Sequence, residues 1–137
     1  YSELSANIEK ALWEKFLLVT SLSGVGTVTR STIGEIRAYE PTCQMLRQVM
    51  EEMVALARGR GLTLAPDVVE RTMQFVGTFP NEATTSMQRD LMNGLPSELE
   101  AQTGAVVRLG RAVGVSTPVN QFIYDSLILQ ERRARAV

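Results

Sequence analysis

The sequence predicts an all-α fold. Its apolar residues recur at helical rather than alternating spacing, and proline, glycine and capping residues fall where helices of ordinary length would begin and end. The 137 residues are 45% apolar and carry a formal net charge of −1, which is the size and balance of one globular domain with a buried core. We therefore expect residues 1–137 to form a single compact multi-helix domain.

The first half of the chain is predicted to contain three helices. The first runs from Ser5 or Ala6 to about Leu22, because the following SGVGTVTR is too rich in Gly, Ser and Thr to continue it. Thr32 and Glu35 form a capping box that opens the short helix IGEIR. The third begins at a proline, carries one apolar stripe and ends at a glycine pair; these residues are Pro41, Met45, Leu46, Val49, Met50, Met53, Val54, Ala57, Gly59 and Gly61.

Four further helices are predicted in the second half, over about residues 66–79, 84–92, 97–113 and from 118 onward. Prolines open three of them, and glycines close the middle two. The residues that set these boundaries are Pro66, Asp67, Phe79, Thr84, Met92, Asn93, Gly94, Pro96, Ser97, Val113, Gly114 and Pro118. Gly104 and Gly110 indicate close packing of a neighbouring element.

The composition excludes several kinds of catalytic chemistry. The chain has no histidine and one cysteine, Cys43, so a nucleophilic triad, a histidine general base and a zinc site of the usual ligands cannot be built. Acid–base chemistry must use Lys, Glu, Asp or Tyr, and we expect no metal. A lone cysteine argues against a disulfide framework and fits a reducing cytoplasm. With no signal peptide and no apolar run of membrane-spanning length, we expect a cytoplasmic protein without a membrane partner.

The charge distribution gives no electrostatic footprint for nucleic acid. Lys and Arg total 14 against 15 Asp and Glu, and the one basic cluster is Arg132, Arg133 and Arg135 near the end of the chain. We interpret this cluster as a solvated helix end and expect no nucleic-acid partner.

The stretch SLSGVGTVTR, residues 21–30, nearly spells a dinucleotide-binding loop. Such a loop binds pyrophosphate only when it follows a β-strand and opens a helix. Here the preceding NIEKALWEKFLLV has a helical pattern, and Thr29 stands where the third glycine would be. We interpret the stretch as a break between two helices rather than as a cofactor loop.

Lys15 lies on an apolar stripe of the first predicted helix. At about 3.6 residues per turn it shares one face with a set of apolar residues, Ile8, Leu12, Val19 and Leu22. A charged amine in that position must pair with a carboxylate, extend outward to water, or line a cleft. It is one of two lysines in the chain, beside twelve arginines. The spacing alone leaves open both a structural lysine and a catalytic one.

Two further polar residues, Glu98 and Ser86, are candidates for the same site. Glu98 falls in the first turn of its predicted helix, where the helix dipole favours a carboxylate. Its predicted face continues into an apolar stripe with Ala105 and Leu109, so the carboxylate could meet the lysine across a groove. Ser86 stands near a helix start and is equally consistent with a helix cap.

Four blocks of the sequence together resemble one known family. In order they are LWEKFLLV, TIGEIR, SMQRD and SELEAQTGAVVRLGRAVGVSTPVN, and they resemble the C-terminal helical domain of ketopantoate reductase, also called 2-dehydropantoate 2-reductase. The resemblance covers nearly the whole chain. It implies a helical fold like that of the C-terminal domain of 6-phosphogluconate dehydrogenase, and reduction of ketopantoate to pantoate in pantothenate biosynthesis.

The resemblance also implies cofactors and partners. Family members are two-domain enzymes, in which an N-terminal Rossmann domain binds NADPH. That domain is expected to be missing from this chain. The helical domain completes the active site around a small 2-oxo-acid substrate and supplies a homodimer contact.

The resemblance assigns roles to three residues. Lys15 matches the family's catalytic lysine, a general acid that protonates the substrate carbonyl as hydride arrives at its carbon. Ser86 matches a serine that hydrogen-bonds substrate. Glu98 matches the family's active-site glutamate, which the resemblance implies is a catalytic and cofactor-binding residue that helps to hold substrate and cofactor in register.

Three positions depart from the family pattern. The family commonly places asparagines one and two helical turns after the lysine, where this chain has Val19 and Ser23. It commonly has an arginine where this chain has Leu95. Without the two amides the substrate pocket becomes more apolar. The resemblance therefore implies a substrate-binding role for Val19 and Ser23, and reduction of a 2-oxo acid that is not necessarily ketopantoate.

Two functions stay open at this point. In the first, the chain is the catalytic and substrate-binding half of an NADPH-dependent 2-oxo-acid reductase, and it is inactive without its nucleotide-binding domain. In the second, the fold is kept as a helical dimerisation or ligand-binding module and the reductase chemistry has been lost, which Val19 and Ser23 favour.

Overall fold

The computed structural model describes residues 3–136, and within them all regular structure is helical, which confirms the predicted all-α class. Seven helices follow one another in this part of the chain. They are α1 (Glu3–Thr29), α2 (Ile33–Ala38), α3 (Glu40–Gly59), α4 (Val68–Val76), α5 (Ser86–Met92), α6 (Thr103–Val113) and α7 (Pro118–Arg135). None of these helices is both long enough and apolar enough to cross a bilayer.

Helix α1 forms the centre of the structure. It packs against α2, α3, α4, α5 and α7. Every residue from Thr20 to Thr27 is buried, and Leu17, Leu22 and Val25 belong to the apolar core. The first four turns of the same helix lie at the surface, where Leu4, Ile8 and Leu12 are 70%, 52% and 63% exposed. One continuous helix therefore has a solvent-facing half and a core half.

The predicted end of the first helix at Leu22 is wrong. The chain stays helical through SGVGTVT to Thr29. A Cβ atom on Gly24 would lie 3.4 Å from Ile123 of α7 and 3.4 Å from Thr103, and one on Gly26 would lie 3.1 Å from Gln88 of α5. The small residues bring neighbouring helices close to the α1 backbone, and this packing outweighs their weak intrinsic helix propensity.

Several other boundaries are confirmed. Thr32 and Glu35 exchange both hydrogen bonds of the capping box at the start of α2. Hydrogen bonding to the carboxyl of Glu35, first from the backbone N–H of Thr32 and then from its side chain, lowers the pKa of that carboxyl. Helix α3 carries its proline in the first turn and buries most of the predicted stripe, with Met45 and Val54 partly buried. Gly110 packs closely, since its Cβ would lie 2.8 Å from the carbonyl oxygen of Val115. The end of α4, by contrast, differs from the prediction, because the helix ends at Val76 rather than at Phe79.

The predicted helix start at Ser97 is also wrong, because α6 begins at Thr103 and residues 98–102 form turns. Just before these turns the buried carboxylate of Glu131 accepts hydrogen bonds from the Ser97 backbone N–H at 3.0 Å and hydroxyl at 2.6 Å. Arg135 binds Glu131 at 2.8 Å and the Ser97 carbonyl oxygen at 3.0 Å. These bonds fix the chain at Ser97, and α6 begins six residues later, so the predicted helical face of Glu98 with Ala105 and Leu109 does not exist.

The start of α7 is capped by a residue from another helix. Its N-cap, Thr117, makes no capping hydrogen bond. Instead the Glu52 carboxylate of α3 accepts the backbone N–H groups of Val119 at 2.8 Å and Asn120 at 3.0 Å, and the Asn120 side-chain amide at 2.8 Å. A carboxylate at a helix N-terminus accepts hydrogen bonds from otherwise unpaired N–H groups, and its negative charge interacts favourably with the helix dipole. This contact links α3 to α7 across 67 residues of sequence.

Two alanine substitutions test the helical placement of the glycine stretch. Gly24→Ala should raise the free energy of unfolding by about 0.5–1 kcal/mol, because alanine favours helix and its Cβ meets only ordinary contacts. The control Gly114→Ala should lower it by about 1–2 kcal/mol, because Gly114 has φ +72°. Urea unfolding of both variants measures the difference. A loss at Gly24 as large as that at Gly114 would contradict the helix.

Candidate active site

A pocket between α1 and the start of α5 brings together three residues to which a substrate role was assigned. Val19, Ser23 and Ser86 all line it. Its volume is about 210 Å³, and the remaining lining residues are Leu18, Leu22, Phe79 and Thr85. We call this cavity the α1–α5 pocket. Val19 is 37% exposed and Ser23 only 2%, so the cavity runs from the surface toward the buried half of α1.

Lys15 lies one helical turn before Val19, on the same face of α1. Its side chain is exposed, and no ion pair to it is formed within residues 3–136. The apolar stripe around it is largely uncovered, with Ile8 and Leu12 each more than half exposed. The amine therefore lies at the surface rather than against an internal partner, and Lys15 is not one of the residues that line the α1–α5 pocket.

Glu98 is exposed and lies in the turn before α6, not in a helix. Among the residues that the structure describes, no hydrogen bond or ion pair joins Glu98 to Lys15. The backbone on either side of Glu98 is fixed, because Ser97 is bound by Glu131 and the Ser97 hydroxyl accepts the N–H of Leu99 at 3.2 Å. The fold thus presents Glu98 on a rigid turn and leaves the predicted contact with Lys15 unmade.

The motif TIGEIR holds the loop that forms one side of the pocket. The backbone N–H of Gly34 donates to the carbonyl oxygen of Asn81 at 2.9 Å, and that of Ile33 to Ala83 at 2.9 Å. Arg37 donates to the carbonyl oxygen of Phe79 at 2.8 Å. Helix α2 therefore positions the segment that carries Phe79 and leads to α5. A side chain at position 34 has no room, since its Cβ would lie 2.6 Å from the Asn81 carbonyl oxygen.

Sequence reasoning missed Phe79, Thr85 and Leu18 as lining residues. Thr85, rather than Ser86, is the N-cap of α5, and its hydroxyl accepts the N–H of Gln88 at 3.4 Å. A threonine followed three residues later by glutamine was the available signal for that cap. No comparable sequence pattern predicts that Phe79 lines the pocket, because its position depends on hydrogen bonds from α2.

A second pocket and a hydrogen-bonded pair of residues lie apart from the predicted site residues. A larger pocket of about 370 Å³ lies between the exposed half of α1 and the end of α3, lined by Glu9, Leu12, Trp13, Phe16, Arg60 and Leu62. Tyr124 donates to Glu100, and this hydrogen bond raises the pKa of Tyr124, but neither residue lines the α1–α5 pocket. No cluster of metal-ligating side chains occurs within residues 3–136.

The described residues do not fit the phosphates of a dinucleotide. Gly24 and Gly26 lie inside a helix, and their backbone N–H groups are committed to it. Residues 3–136 also lack a β-strand that could precede a phosphate-binding turn.

Comparison with known proteins identifies the family. A family model described as ketopantoate reductase PanE/ApbA C terminal matches residues 7–131. A 2-dehydropantoate 2-reductase of Halobacterium salinarum is 29% identical over 130 residues, which are 94% of this chain and 42% of that protein.

Solved structures of related proteins also superpose on this chain. A dimeric ketopantoate reductase from Staphylococcus aureus superposes with a TM-score of 0.86 at 25% identity, covering 93% of this chain and 44% of that one. A D-mandelate dehydrogenase with NADH and anilino(oxo)acetate superposes with a TM-score of 0.82 at 22% identity, covering 98% of this chain and 43% of that one, which is a likeness of fold alone.

The fold and the matched region define a C-terminal helical domain from a family of oxidoreductases. The chain belongs to the ketopantoate reductase PanE/ApbA family, which confirms the resemblance expected from its four sequence blocks. It spans between 42% and 44% of the length of the three proteins compared.

The contact between α2 and the pocket loop predicts the effect of one small substitution. Gly34→Ala should lower the free energy of unfolding by about 1–3 kcal/mol, because the new methyl group overlaps the Asn81 backbone. Thermal unfolding measures the loss, and Gly24→Ala is the control for the same change where space exists. An unchanged melting temperature in Gly34→Ala would show that the loop moves freely away from α2.

Proposed function

We propose that this chain is the substrate-binding and catalytic portion of an NADPH-dependent 2-oxo-acid reductase similar to 2-dehydropantoate 2-reductase. The observation that carries the proposal is the position of Lys15, one turn from a pocket lined by Val19, Ser23 and Ser86. The reductase names of its relatives support the reaction class.

Lys15 is the proposed general acid. Its ammonium group donates a proton to the carbonyl oxygen of the 2-oxo acid as that oxygen gains charge, and the product is the 2-hydroxy acid. Before the proton moves, the positive charge stabilises the developing oxyanion. When bound, the reduced nicotinamide supplies the hydride to the carbonyl carbon. The exposed amine suits this role, because it regains its proton from water after each turnover.

The remaining proposed roles belong to residues around the pocket. Ser86 and Ser23 offer hydroxyl groups that can hydrogen-bond the substrate, while Val19 contacts its apolar part. Glu98, held on its rigid turn, is proposed to contact substrate and cofactor on the side that residues 3–136 leave open.

The dinucleotide is proposed to bind mainly outside this chain. A Rossmann domain N-terminal to the helices would hold it, since the described residues offer no phosphate-binding loop. On this proposal the full-length protein works in the cytoplasm as a homodimer, like the dimeric relative of known structure, and the isolated chain is inactive.

A second candidate function is a helical dimerisation or ligand-binding module that has lost the chemistry. Two observations favour it. The pocket carries Val19 and Ser23 instead of amides, and the structure makes no contact between Lys15 and Glu98.

Substitution of Lys15 separates the two functions. In the full-length protein, Lys15→Ala should lower kcat/KM for 2-oxo-acid reduction by about 10²–10⁴-fold, because the general acid is lost. Its free energy of unfolding should change by less than about 0.5 kcal/mol, because the side chain is exposed. NADPH oxidation and urea unfolding measure the two quantities.

The matched control is Lys10→Ala, since Lys10 is the other lysine of the chain and is also exposed on α1. It should retain full activity. Equal activity of Lys15→Ala and the wild-type protein would remove Lys15 from the mechanism. A full-length protein that binds NADPH and reduces no 2-oxo acid would favour the module that has lost the chemistry.

A further inference from the structure

The α1–α5 pocket has apolar walls. Leu18, Val19 and Leu22 contribute aliphatic side chains from successive turns of α1, and Phe79 adds an aromatic ring. Of the described residues that line it, none has a charged side chain. A group that enters this pocket therefore meets carbon on several sides and no ionic partner.

The polar groups of the pocket are three hydroxyls, those of Ser23, Thr85 and Ser86. The Thr85 hydroxyl is already engaged as the cap of α5. No side-chain amide lines the cavity. A substrate hydroxyl placed against Val19 and Leu22 would exchange water for carbon atoms, which is unfavourable. An alkyl or aryl group in the same place gains free energy by leaving water.

The size of the pocket fits a side chain of moderate bulk. Its volume is about 210 Å³. An apolar cavity of roughly 150 Å³ is large enough to bind benzene. An isobutyl group or a phenyl ring can therefore be accommodated.

We propose that the preferred substrates are 2-oxo acids whose side chain is a branched alkyl group or a phenyl ring. That side chain occupies the α1–α5 pocket, and the carbonyl group lies toward Lys15. The inference rests on the proposed reductase function. Val19 determines specificity, because it lines the pocket one helical turn after Lys15 and is 37% exposed.

The first test uses the full-length protein and two probes that hydride does not reduce, oxamate and anilino(oxo)acetate. By titration calorimetry with cofactor present, the phenyl-bearing probe should bind at least about tenfold more tightly than oxamate. Val19→Asn should remove most of that difference. The control Val113→Asn makes the same change at a valine that is also 37% exposed but lies outside the pocket, and it should leave the ratio unchanged.

Equal affinity for the two probes, or equal effects of the two asparagine substitutions, would overturn the inference. These binding measurements need no turnover, so they decide it even if the protein is not a reductase.

The second test compares kcat/KM for α-ketoisocaproate, whose side chain is isobutyl, with kcat/KM for ketopantoate, which carries a hydroxyl group. We expect a preference of about ten- to a hundredfold for α-ketoisocaproate. Val19→Asn should narrow this preference and Val113→Asn should not. A reductase that prefers ketopantoate overturns the inference and leaves the proposed function standing. A protein that reduces neither acid overturns the proposed function, and the inert probes then decide the inference.

Discussion

Residues Thr20 to Thr27 of α1 run through the middle of the structure with no side chain larger than that of Leu22. Five other helices pack on α1, and Gly26 in this segment lets Gln88 of α5 come close to its backbone. Interiors are close-packed, so the positions of neighbouring helices depend on how little space this segment fills. The same close packing limits the width of the α1–α5 pocket, because α1 forms one of its walls and the start of α5 forms the opposite side.

The parts of the fold that sequence predicted are those set by local interactions. The capping box of Thr32 and Glu35 joins residues three apart, and the apolar stripe of α3 repeats along one helix. The failures at Leu22 and Ser97 have non-local causes. A run of Gly, Ser and Thr is typical both of a loop and of a closely packed helix, and only the neighbours distinguish the two. Ser97 is bound by Glu131, 34 residues away, just before the turns that lead to α6.

The residues of the candidate site also divide into those that local spacing predicts and those that distant contacts place. Lys15, Val19 and Ser23 follow one another at intervals of four residues, so helical spacing alone predicts a shared face. Ser86 was assigned by resemblance, and the structure places it in the pocket that Val19 and Ser23 also line. Phe79 could not be predicted, because its loop is fixed by distant residues. The Arg37 side chain donates to the Phe79 carbonyl oxygen from 42 positions away, and the Gly34 backbone N–H donates to that of Asn81.

The unbroken course of α1 from surface to core also fixes a length. A helix rises about 1.5 Å per residue, so Lys15 stands about 6 Å from Val19 and about 12 Å from Ser23 along the axis. No hinge interrupts the helix between these residues. Helix α1 therefore fixes the spacing of the three Cα atoms along its axis, and only the exposed, flexible side chain of Lys15 can change the distance between its ammonium group and the pocket.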